Sequence, residues 1–113
     1  MAYCAYSSTW KVKVQNIGVQ REDEFGGVIA DFDPRGIDLR IVAAAPSSTG
    51  CLRFIDPYGN FLANQRQLPI LIVELEEISR STQDFEFKLR ISDLVKFLED
   101  SKGPHVYVRF VGD

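Results

Sequence analysis

Asp84-Phe-Glu-Phe-Lys-Leu-Arg-Ile91 is the cleanest alternation in this 113-residue chain. Phe85, Phe87, Leu89 and Ile91 recur at a period of two, with Glu86, Lys88 and Arg90 between them, which is the pattern of a half-buried strand. Its neighbours read differently. Leu68 to about Arg80 has the helical period: Leu68, Ile72, Leu75 and Ile78 form one stripe, widened by Leu71, with Glu74, Glu76 and Glu77 turned outward. Pro69 suits a first helical turn, where its missing donor costs nothing. After Ile91, Ser92 is expected to cap a short helix to Lys102, and Gly103-Pro104 to stop it. His105 to Val111 follows as a terminal strand.

Further strands are expected toward the N-terminus. Trp10 to Ile17 alternates, and Gly18 to Glu24 reads as a charged loop. Val28 to Phe32 is a short strand, ended by the turn Asp33-Pro34-Arg35-Gly36. Ile37, Leu39, Ile41 and Ala43 alternate again, and Cys51 to Asp56 reads as a strand running into Asp56-Pro57-Tyr58-Gly59, a tight turn from which Asn60 to Ala63 could return. Strands grouped early, followed by helix and strand elements, predict an α+β fold. The expected form is a mostly antiparallel or mixed sheet of 5–6 strands with two helices packed on one face. Residues 1–113 are expected to form a single domain, long enough to bury about two-thirds of its surface.

Composition narrows the function classes. Thirteen basic and sixteen acidic residues leave a net charge of −3, which argues against a nucleic-acid binder, since that needs a clustered positive footprint. The acidic residues come in runs, Glu22-Asp23-Glu24, Glu74-x-Glu76-Glu77 and Glu99-Asp100. Such runs are ordinarily solvated faces; the sharper reading is a surface complementary to a basic partner. No apolar stretch is long enough for a membrane helix and no signal peptide is visible. Cys4 and Cys51 are too few for a disulfide framework and suggest no metal site. A cytoplasmic location, with no membrane and no cofactor, is the resulting expectation.

Catalytic signatures are missing: no glycine-rich phosphate loop, no paired-histidine metal motif and no nucleophile elbow. A single histidine excludes a His-rich metal site within one chain. Asp31-x-Asp33 could offer oxygens to magnesium, but a turn explains it more simply. His105, Tyr107 and Arg109 would share a strand face and could bind an anion, or act in acid–base chemistry if Asp56 approached them. The plainer reading is solvent-facing decoration. Asn60, Asn64, Gln65 and Gln67 crowd amides near Tyr58, either to cap the helix before Pro69 or to line a recognition surface.

Two of these segments carry a resemblance. Phe54-Ile-Asp-Pro-Tyr-Gly59 followed by Asn64 and Gln67, with a C-terminus in which His105, Tyr107, Phe110, Gly112 and Asp113 recur, is similar to motifs of small uncharacterised bacterial proteins. Proteins of this kind are similar in turn to toxin-immunity and mobile-gene-cassette proteins, which implies no activity that can be transferred. The resemblance implies that Asp56, Tyr58, Asn64, Gln67, His105 and Tyr107 meet in space. The favoured expectation is a non-enzymatic protein-interaction module, immunity-like, with Asp56, Tyr58, Asn64, Gln67, His105, Tyr107 and Arg109 as candidate contacts. The alternatives are a small ligand-binding protein or enzyme using Asp56 and His105 in a cleft, and a homodimer paired through a strand edge.

Overall fold

In a computed structural model, the structure describes residues 17–33, 36–37, 39–44, 50–55 and 59–112. The elements are β1 (Gly18–Glu22), β2 (Val28–Asp31), α1 (Leu39–Ala44), a 3-10 turn (Leu52–Phe54), β3 (Asn60–Ala63), α2 (Leu68–Ser81), α3 (Phe85–Glu99) and β4 (Tyr107–Val111). The architecture is α+β. Among the described residues the sheet has four strands in the order β2-β1-β4-β3, and all three pairings are antiparallel. The strand expected at Trp10 to Ile17 lies outside the described residues except for Ile17.

The largest departure is at Asp84–Ile91, which is not a strand but the opening of α3. Asp84 is the cap: its Oδ1 accepts from the backbone N–H of Phe87 at 3.1 Å, satisfying one of the donors a helix start leaves orphaned. The buried residues of α3 are Phe87, Ile91, Leu94, Val95 and Leu98, a stripe at helical spacing that runs straight through Ser92. Phe85 and Leu89, the other half of the alternating set, are 73% and 50% exposed. An eight-residue run can satisfy both periods, and the longer stripe decides.

Three shorter segments also differ from expectation. Residues 39–44 are helical, with Ile37 and Ile41 buried four apart. Residues 52–54 form the 3-10 turn, whose N-terminal backbone is held by Glu74. Its Oε1 accepts from Cys51 N at 2.9 Å and Leu52 N at 2.8 Å, so Glu74 is turned toward the chain rather than to solvent. Gly18–Glu22, expected as loop, is a central strand. Its pattern was obscured because Arg21 lies on the core face: Nε donates to Ser101 Oγ at 2.8 Å, and the guanidinium stacks 4.5 Å from the Phe97 ring centre.

The described elements share one core. Val19, Ala63, Val108 and Phe110 from the sheet meet Leu68, Leu71 and Leu75 of α2 and the α3 stripe, with Phe61 partly buried against them. The helix expected at Leu68 to Arg80 is α2. Of the turn expected at Asp33–Gly36, Pro34 and Arg35 lie outside the described residues; Gly36 N donates to Asp33 O at 2.8 Å, and Gly36 takes φ 72°, a conformation open to glycine.

Candidate interaction surface

Within the Phe54–Gln67 stretch, β3 pairs with the last strand. Asn60 lies opposite Val111 and Ala63 opposite Val108, and Gly112 N donates to Gly59 O at 2.8 Å. Asn64 therefore leaves the sheet at the end where His105 and Tyr107 enter it. Asp56 and Tyr58 lie outside the described residues.

The amides at this corner are engaged in building it. Asn64 Oδ1 accepts from Arg66 N at 2.9 Å and Gln67 N at 3.1 Å, while Gln67 Oε1 accepts from Asn64 N at 2.9 Å. This reciprocal pair is the capping-box arrangement, set in the turn that feeds α2. Gln65 is a staple: Nε2 donates to Ser101 O and Val106 O, both at 2.8 Å, and Oε1 accepts from Gly103 N at 3.4 Å. One side chain thus fixes the loop between α3 and β4.

His105, Tyr107 and Arg109 face the other row of acidic and amide residues. In the β1–β4 register Gln20 opposes Arg109 and Glu22 opposes Tyr107; two residues on, Glu24 reaches His105. Arg109 Nε donates to Glu22 Oε2 at 2.7 Å, which also accepts from Gln20 Nε2 at 2.6 Å. His105 Nδ1 lies 3.3 Å from Glu24 Oε2. Glu22 is only 3% exposed. The Arg109 hydrogen bond holds its carboxyl below the usual carboxylate range against the opposing effect of burial, with help from Gln20. The Arg109 and His105 side chains, which could have bound an anion, thus face carboxylates of the chain itself.

What the structure adds is the β1–β2 hairpin. Its tip is tied by Asp23, whose Oδ1 accepts from Phe25 N at 2.9 Å and Gly27 N at 2.8 Å, and whose backbone N–H donates to Gly27 O at 2.9 Å. Gly26 takes φ 83°, and a Cβ on Gly27 would stand 3.0 Å from Asp23 Oδ2. Out of this braced turn projects Phe25, 89% exposed, followed by Val28 at 54% and Ile29 at 55%. Ile29 sits where the β1–β2 register slips, a bulge that spoils β2, an edge strand among the described residues, as a template for strand addition. The sequence signal was present in Asp23-Glu-Phe-Gly-Gly27, a glycine-bearing hairpin loop, but it was submerged in the charged run.

Among the described residues no helix is long and apolar enough to cross a membrane, and no group of three or more His, Cys, Asp or Glu side chains is arranged to hold a metal ion. Searches against protein-family models, curated proteins and solved structures find no match to this chain.

Proposed function

We propose that the chain is a non-enzymatic protein-interaction module, immunity-like in that its task is to occupy a basic protein partner. The observation that carries this is Phe25: an aromatic side chain 89% exposed on a turn held by four hydrogen bonds. Solvating a phenyl ring on a rigid support is unfavourable, and aromatic anchors of this kind are what interfaces bury at their centres. Asp23 and Glu24 precede it at the hairpin tip and Asp31 ends the second strand, so charge complementarity favours a basic partner. An enzyme built on Asp56 and His105 is less favoured, because His105 is 65% exposed and faces Glu24. A homodimer paired through β2 is disfavoured by the bulge at Ile29.

The test is affinity capture from lysate of the source cell with three baits: the native chain, Phe25→Ser, and the native chain at raised salt. Support is a basic protein retained by the first and lost from the other two. Retention that ignores Phe25, or that strengthens with salt, refutes the reading.

A further inference from the structure

A cleft of ≈270 Å³ lies where the start of α2 meets the end of α3, lined by Gln65, Leu68, Pro69, Ile72, Leu98 and Lys102. Four of these are apolar. The Gln65 carboxamide is committed at both ends, its nitrogen to Ser101 O and Val106 O and its oxygen to Gly103 N. That leaves one uncommitted polar side chain, the exposed Lys102, which makes no hydrogen bond or ion pair among the described residues. Among the described residues no carboxylate lines the cleft; Glu99 and Asp100 end α3 outside it.

The backbone that carries the lysine is fixed. Ser101 is fully buried, with its hydroxyl bonded to Phe97 O and Arg21 Nε, and Gln65 holds the peptide groups on either side of Lys102. The lysine thus springs from a fixed backbone at the rim of a preformed apolar wall, so that a ligand orders its side chain alone. The neighbouring groove of ≈400 Å³, lined by Gly50, Pro69, Ile70, Val73, Glu74 and Glu77, has the opposite charge, and its Glu74 is already bonded to Cys51 N and Leu52 N.

We propose that the cleft between α2 and α3 binds a small apolar monocarboxylate, its hydrocarbon part against Leu68, Ile72 and Leu98 and its carboxylate on Lys102. A single ammonium, acting as a point charge without an array of further donors, matches one monoanionic group on an apolar body. The volume is just under the ~300 Å³ at which drug-sized sites begin, which suits a medium-chain or single-ring acid. This site is independent of the hairpin.

The experiment is a titration of the ¹⁵N-labelled full chain with octanoate, octylamine and octanol, followed by amide chemical shifts. Octanoate should give saturable shifts centred on Gln65, Leu68, Ile72, Leu98 and Lys102, at least about fivefold tighter than octylamine. Lys102→Glu should erase or reverse that preference, the size of effect expected for one rim charge. Ile72→Phe, which fills the cleft, should abolish octanoate binding; if it disturbs the fold, Lys102→Glu alone decides. Equal binding of all three probes, shifts centred elsewhere, or no saturable shift overturns the proposal.

Discussion

Arg109 and Glu22 meet across the β1–β4 pair, Nε to Oε2 at 2.7 Å, with Glu22 almost sealed and Arg109 31% exposed in its side chain. A carboxylate so placed depends on its partner. Arg109→Met should cost about 2 kcal/mol, short of the ~3–5 kcal/mol for fully buried pairs because Arg109 keeps some water. The double variant Glu22→Leu with Arg109→Met should recover most of that loss. Urea denaturation of the four members of the cycle checks both statements; a neutral single variant refutes the first.

The same pair sets the acid limb of stability. Glu22 titrates lower in the folded chain than in the unfolded one, chiefly through Arg109, and Asp84 is lowered by the Phe87 backbone N–H and then by Arg40. A depressed carboxylate contributes stability above its unfolded value, near 4.3 for Glu and 3.9 for Asp, and that contribution drains as pH falls through the folded value. Stability should therefore drop on acidification below about pH 5, more steeply in the native chain than in Glu22→Gln. Chemical denaturation between pH 3 and 7 reads the slope.

Gln65→Ala removes three hydrogen bonds to one loop and should cost about 2 kcal/mol, given ~0.5–1.5 kcal/mol for each bond and the partial access of water to the freed carbonyls. Hydrogen exchange should quicken first at Gly103 and in the residues beside it, while amides of Leu71 and Leu75 keep their protection. Uniform quickening across the chain would show instead that the staple supports the whole fold.

Gly50 lies so close to the Glu74 and Ile70 side chains of α2 that a Cβ there would require them to shift. A Cβ there would stand 2.8 Å from Glu74 Oε1 and 2.9 Å from Ile70 Cγ2. Gly50→Ala should destabilise by about 1–3 kcal/mol, the usual cost of overpacking, despite the smaller entropy gain of losing a glycine. Gly18→Ala, with nothing within 4 Å of the new carbon, is the control in thermal melts.

Burial raises the pKa of the Cys51 thiol, with Glu74 adding to the shift. In a Cys4→Ser background, alkylation at pH 8 should be slow and should accelerate in proportion to urea-induced unfolding. Rapid modification of the folded chain would contradict the burial.

The legible parts of the fold were those where one period had no rival. α2 was readable because Leu68, Leu71, Ile72, Leu75 and Ile78 fit no strand. Val28–Asp31 and β4 were readable from apolar runs bounded by turn residues. The second half of α3 was legible as the helix expected after Ser92, but its first half was hidden because Phe85 and Leu89, exposed helix-face residues, counterfeit a strand when read with Phe87 and Ile91. β1 was hidden for the converse reason: Arg21 faces the core and Glu22 is buried, so neither behaves as its charge suggests. At the candidate surface, the Asn64–Gln67 capping pair could be foreseen from spacing. The partners of His105 and Arg109 could not, because the register of β1 on β4 is a tertiary fact.

That register joins Gly18 to Val111 and Glu22 to Tyr107, so the two central strands are separated by nearly the whole described chain. A nascent chain that has reached Glu99 holds both long helices yet lacks the strand against which their apolar stripes must close. Pairings so distant in sequence slow folding, because loop-closure entropy is lost before any contact compensates. Until β4 docks, Leu71, Leu75, Ile91 and Leu94 can cover one another only in part, so the interval before the sheet closes, more than the mature state, is when a chaperone would find something to hold.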